Sequence, residues 1–256
     1  MSRLRSESGM TLMELLVTCV IGMVVLLSLG NLLDASGRAS AGVQDRVDSL
    51  QRGRTAIESI TQRLRSQVCL SSSLPAVAKA EANEMWFYTD LRNNTAAAFA
   101  PEARKISYVA GASGQNGSIV EEEYDNIVLS PSSAPTPTGT RDATFGQAPS
   151  RTRTIIADIA LAPDTDDRDQ DSDKAEIRPL FEYYRFIGVD PATPNDRLTA
   201  PLTAAQLPRV VRIAVAFDAR PSRGPRTRKE LDTRTETDVF VRTADPTDPD
   251  NSPSCL

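Results

Sequence analysis

Carboxylates are the residues best placed to do chemistry in this sequence, because histidine is absent. Its absence removes the commonest general base, the Ser/His/Asp and Cys/His arrangements, and the usual zinc sites. Glu121–Glu123, followed by Tyr124, could pass for a paired acid and base. Consecutive residues on a strand point to opposite faces, however, so they do not converge on one substrate, and a solvated hairpin is expected. Asp167, Asp169, Asp171 and Asp173 alternate within D-T-D-D-R-D-Q-D-S-D-K-A-E, like the start of a calcium loop. The match then fails, with Ser172 where the loop needs glycine and Arg178 where it needs a bidentate glutamate. These four are weak calcium candidates in what reads as a self-repelling loop, and no other cofactor is expected. No phosphate-cradling loop, dinucleotide fingerprint or nucleophile elbow is present, so the chain does not read as an enzyme. The basic stretch Pro221–Glu230 reads as an exposed hairpin tip. The arginines are interspersed with carboxylates and the formal net charge is -5, so no nucleic-acid surface is expected.

One carboxylate sits where chemistry is least expected. Glu14 lies just inside the apolar run Met10–Leu33, which is long enough to span a hydrocarbon core at roughly 20 residues. A carboxylate at the centre of such a helix costs about 2.5–3.5 kcal/mol on insertion scales, and less near the end, so a partner is expected. Arg3 and Arg5 precede the run, which places the amino terminus inside and the remainder outside. The run is longer than the apolar region of a secretory signal peptide. Past Leu33 the helical period continues: Val43, Val47, Leu50, Ile57, Ile60, Leu64 and Val68 form an apolar stripe backed by charged residues. One helix from about Met10 to Val68, ended by Ser71–Ser73 and Pro75, would be on the order of 90 Å long. Of the three cysteines, Cys19 falls in the apolar run, so Cys69 and Cys255 are the pair available for a disulfide in an exported part. Closing so long a loop would contribute about 5 kcal/mol at most in chain entropy.

The stretch G-M-T-L-M-E-L-L-V resembles the processing motif of type IV prepilins: a glycine before the cut, an apolar residue after it, and glutamate fifth in the mature chain. Met10 stands where that family commonly has phenylalanine. The resemblance implies that a membrane prepilin peptidase cuts between Gly9 and Met10 and methylates the new amine. It implies that Glu14 helps dock the subunit in a growing filament, with the amine of Met10 or of a neighbouring subunit as its counter-charge. The helix lacks the mid-helix proline frequent in major pilins, and Gly22, Gly30, Gly37, Gly42 and Gly53 supply its soft points. Implied partners are other major and minor pilins or pseudopilins, an inner-membrane assembly platform and membrane lipid. The implied location is the inner membrane as a single-pass protein with its head outside, then the fibre.

The remainder reads as β-structure with polar loops. E-M-W-F-Y-T, K-I-S-Y-V-A and I-V-E-E-E-Y-D-N are strand-like, the last two a hairpin joined by a Gly-rich turn. R-T-I-I-A-D-I-A-L suits a strand or a short helix. P-L-F-E-Y-Y-R-F-I-G, P-R-V-V-R-I-A-V-A-F-D-A and T-E-T-D-V-F-V-R-T follow as strands, and Ser130–Ser150 reads as a Pro/Ser/Thr-rich exposed loop. The expectation is an α+β chain, a long helix packed on an antiparallel sheet in a pilin-like head. Residues 1–9 form the leader, 10–33 the transmembrane or filament-core helix, and 34–70 the amphipathic helix. Residues 71–244 form the head, and 245–256 a Pro- and Asp-rich tail. The order of helix end, I-S-Y-V-A, F-E-Y-Y-R-F, L-P-R-V-V-R-I-A-V-A-F and V-F-V-R-T looks like the larger minor pilins and J-type minor pseudopilins of type II secretion. The function this implies is fibre assembly. The alternative is a tip subunit for adhesion or DNA capture, using Pro221–Glu230 or the Pro/Ser loop.

Overall fold

The computed structural model describes residues 12–69, 75–89, 102–111, 116–125, 148–162, 177–186, 196–221 and 233–241. Among the described residues one α-helix, α1, runs from Leu12 to Arg65, and nine strands follow. No proline interrupts α1. Glu14 lies in its first turn and Arg63 and Arg65 in its last, each of the sign that favours the local end of the helix dipole. The helix ends three residues before the expected Val68. There the Ser66 hydroxyl donates to the Arg63 carbonyl at 2.7 Å. Gln67 then bridges to Thr89, and the Val68 N–H donates to the Tyr88 carbonyl at 3.0 Å. Sheet pairing therefore takes over from the helix before the serines and proline are reached.

The strands are β1 (Val77–Ala80), β2 (Glu84–Thr89), β3 (Glu102–Val109), β4 (Gly117–Tyr124), β5 (Arg151–Ala160), β6 (Phe181–Arg185), β7 (Asp196–Leu198), β8 (Arg212–Ala219) and β9 (Thr233–Phe240). They form one sheet in the order β1-β2-β3-β4-β5-β8-β6-β7, with β9 on the other side of β8. All the strand pairs are antiparallel. The ambiguous stretch after Arg151 is thus a strand, and the β3–β4 hairpin forms as expected. β1 and β7 were not expected; with four and three residues they are too short to show alternation.

The sheet turns a corner in β5. Gly117 pairs with Ile159 and Ser118 with Ala157, so Asp158 is an extra residue, held at a φ of 58°. Aspartate tolerates this left-handed conformation better than most residues, and such a bulge bends its strand. The bend turns Ile159 and Ala160 toward β8, where they pair with Ala219 and Asp218. At the far end, the Leu202 N–H donates to the Ala80 carbonyl at 2.9 Å and the Phe181 N–H to the Ala82 carbonyl at 3.0 Å. The sheet curls until its two ends meet.

The described chain divides into two compact units, Met1–Asp45 and Arg46–Leu256. In the second, Ala56, Ile60 and Leu64 of α1 share a core with Met85, Phe87, Ile106, Ile213, Val215 and Phe217. Burying such side chains contributes about 1.5–3 kcal/mol each. A smaller cluster of Trp86, Tyr88, Ala103 and Tyr124 lies on the other face of β2–β4, with Trp86 and Tyr124 stacked at 5.0 Å. β8 is buried on both faces, Ala214 and Ala216 included, so the alternation expected of a one-sided strand does not become one wet face and one dry face.

Candidate functional site

The long helix carries Glu14, the residue of the assembly expectation. Its contact with the sheet uses Ser49, Gly53, Ala56, Ile60 and Leu64, spaced by four and three residues and therefore on one face. This corrects the expected stripe. Ile60 and Leu64 are inside, but Val47 and Leu50 are exposed. Small size explains the choice. A Cβ at Gly53 would stand 2.5 Å from Thr235 Oγ1 and 3.2 Å from Ala219 Cβ, so the helix approaches β8 and β9 more closely than a larger side chain allows.

Polar contacts accompany that close approach. Ser49 Oγ and Thr233 Oγ1 are 3.0 Å apart. Arg52 donates to the Ala157 carbonyl at 3.3 Å and to the Arg220 carbonyl, tying β5 beside its Asp158 bulge to the residue that follows β8. Arg63 Nε donates to Glu121, and its Nη1 holds the Ser59 carbonyl at 2.9 Å.

Glu121 itself departs from expectation. It is completely buried, not solvated. Arg104 Nη1 donates to its Oε1 at 2.7 Å and Arg153 Nη2 to its Oε2 at 3.0 Å, beside the Arg63 contact. Arg104 also meets Glu102 at 3.2 Å and Glu123 at 2.9 Å. Three guanidiniums thus face three carboxylates. Burial works against the Arg104 charge, but the hydrogen bond and charge of Glu121, with Glu123 and Glu102, outweigh it and raise its pKa. The register brings them together, since Arg104 lies opposite Glu123 and Glu121 opposite Arg153. The signal in the sequence was charge of alternating sign on β3, β4 and β5; the residues missed were Arg52, Gly53, Arg63, Arg104 and Arg153.

A second charged cluster lies on β6. Arg178 donates to Glu182 Oε2 at 2.7 Å and to Glu236 at 2.9 Å. Tyr184 donates to the same Glu182 oxygen at 2.8 Å, and Arg197 to its Oε1 at 3.3 Å. Burial pushes the Glu182 carboxyl up, but the hydrogen bonds from Arg178 and Tyr184, with the nearby positive charges, hold it below its ordinary value. Burial, then the bond to Glu182, pushes the Tyr184 hydroxyl up to about 12. Both oxygens of Glu182 are engaged, so the cluster braces β6 against β7 and β9.

Glu14 is exposed on α1, and the large apolar side chains from Leu12 to Leu33 are exposed with it. By length and composition α1 is long and apolar enough to cross a membrane. Cys19 is free and Cys69 is disulfide-bonded. Gly9, Met10, Cys255, the four aspartates 167, 169, 171 and 173, and 222–230 of the basic stretch lie outside the described residues. Among the described residues no three His, Cys, Asp or Glu side chains gather as a metal site would require. No family model, curated protein or solved structure matches the chain.

Proposed function

We propose that this chain is a minor pilin or pseudopilin, a structural subunit that enters a type IV pilus or a type II secretion pseudopilus. The observation that carries the reading is the contrast along α1. Its first part exposes side chains as apolar as any in the chain, while its last turns are packed under an antiparallel sheet. Exposed apolar surface of that extent marks a membrane or a protein interface. The G-M-T-L-M-E stretch at its start supports processing by a prepilin peptidase between Gly9 and Met10, with methylation of the Met10 amine. In this reading the leader holds the amino terminus inside, the inner membrane takes the apolar helix, and the head stands outside. The role is packing, not catalysis. Glu14, carried into an apolar environment, meets a terminal amine, and the low dielectric that penalises an isolated charge rewards the correctly placed pair. A disulfide between Cys69 and Cys255 would fasten the tail to the end of α1.

The test is the terminus of the protein extracted from its native membrane. A start at N-methylated Met10 supports the reading, and an intact start, or one elsewhere, overturns it. Glu14→Val should then leave cleavage largely intact while reducing recovery in sheared fibres.

A further inference from the structure

α1 offers the head two overlapping faces. At 3.6 residues per turn, Leu50 lies roughly 40° beyond Leu64, at one edge of the buried face, and Ser49 and Ala56 lie at the opposite edge. Ile60 and Leu64 are buried and Ile57 is partly buried against the core. A rotation of roughly 40° would keep Gly53, Ile60 and Leu64 against the sheet while exchanging Ser49 and Ala56 for Ile57 and Leu50. Apolar burial alone favours the rotated packing, since Leu50 and Ile57 bring more apolar area than serine and alanine. Yet Leu50 is 48% exposed and Ala56 2% exposed.

The groups that oppose the rotation are polar and sit at both ends of the contact. Arg52 is tied to the carbonyls of Ala157 and Arg220, and Arg63 to the buried carboxylate of Glu121. Rotation would pull Arg52 from two backbone carbonyls and Arg63 from a fully buried carboxylate, and hydrogen bonds to charged groups are about twice as strong as neutral ones. We infer that Arg52 and Arg63 act as a register lock, holding α1 in the rotation that turns Leu50 away from the head. Fixing a register is the best-attested use of buried polar pairs. The lock belongs to the head's own packing and stands whether or not the chain enters a filament.

The experiment uses the full chain in detergent micelles, with Cys19→Ser as background and the disulfide intact. Single reporters, Leu50→Cys or Ala56→Cys, are modified with a water-soluble maleimide, and the ratio of the two rates is read. With both arginines present, position 50 reacts much faster than position 56. In Arg52→Gln/Arg63→Gln, Glu121 keeps Arg104 and Arg153 as partners, so the sheet network survives. The ratio should fall by about tenfold or more as the helix samples the rotated packing. An unchanged ratio in a double variant that still melts cooperatively overturns the lock. Should the double variant not fold, Arg52→Gln alone decides, because it leaves every partner of Glu121 in place. A lowered ratio supports the lock, and an unchanged one refutes it.

Discussion

The two parts of α1 invert the usual relation between hydrophobicity and burial. From Leu12 to Leu33 nearly every side chain is apolar, and the large ones are exposed. From Arg46 to Arg65 the sequence is mixed, yet this is the part with a buried face, and that face begins with serine, glycine and alanine. The first part is built for an apolar environment and needs little shape, because hydrophobic transfer is non-directional. The second meets one particular surface, so fit and hydrogen bonding decide which residues face inward.

The strongest way to break this contrast is to remove the charge at its centre. Glu121→Ala leaves Arg63, Arg104 and Arg153 without the acceptor they share, and stripping one partner from a buried pair costs about 3–5 kcal/mol. Denaturant unfolding of the head should show a loss of that order. The same substitution should leave membrane extraction of the chain unchanged, because the Arg63, Arg104 and Arg153 that bind Glu121 all belong to the head. A loss below about 1 kcal/mol, the level of a surface ion pair, would mean that the network is not dry.

Next in size is Gly53→Ala. Alanine is the better helix former by about 1 kcal/mol, so a free helix would gain. Here the new Cβ meets Thr235 Oγ1 and Ala219 Cβ, and overpacking of that kind costs about 1–3 kcal/mol. Net destabilisation is expected in thermal melting, and Thr235→Ala should recover part of it by removing the nearer atom. Gly42→Ala, where a Cβ meets nothing within 4 Å, should show only the propensity gain. If both substitutions stabilise equally, the close approach is absent.

Much of the architecture was legible before the structure. The apolar run, the long helix and the antiparallel strands each follow from periodicity that backbone geometry imposes. The strand Glu84–Thr89 and the hairpin of β3 and β4 lie where alternation and a Gly-rich turn put them. What was not legible was rotation and burial. Hydropathy ranks Val47 and Leu50 above Ser49 and Gly53 as core, because it counts transfer and ignores distance of approach. Alternation read Glu121 as solvated, because the arginines that bury it come from α1, β3 and β5, and their meeting depends on cross-strand register. The Asp158 bulge, on which the curl of the sheet turns, has no local signature beyond one aspartate in an apolar strand.

Acid should separate the charged contacts of Glu84 and Glu182 from the apolar packing. The Glu84 carboxyl is pushed up by burial but held down, on balance, by hydrogen bonds from Trp86 and Lys79 and by the Lys79 and Lys105 charges. Glu182 is likewise below its ordinary value. A carboxyl whose folded pKa is depressed contributes stability above its unfolded value, and that contribution fades as pH falls through the folded one. The head should therefore lose stability from the ordinary carboxylate value of 4.5 downward. In Glu182→Gln the acid slope should be shallower, and a slope identical to the parent's would remove Glu182 from the account.

The smallest effect is the sharpest test of the contrast. Leu50→Ser replaces a large apolar side chain, as severe a change as Ile60→Ala by composition alone. Ile60 is completely buried whereas Leu50 is 48% exposed. Truncation at Ile60 should cost about 2–5 kcal/mol, while exposed substitutions ordinarily stay within about 0.5 kcal/mol. Melting of the head in micelles should thus barely register Leu50→Ser. If the same variant is lost from fibres although its head is unmoved, then Leu50 faces another subunit, and its apolar character answers to assembly and not to folding.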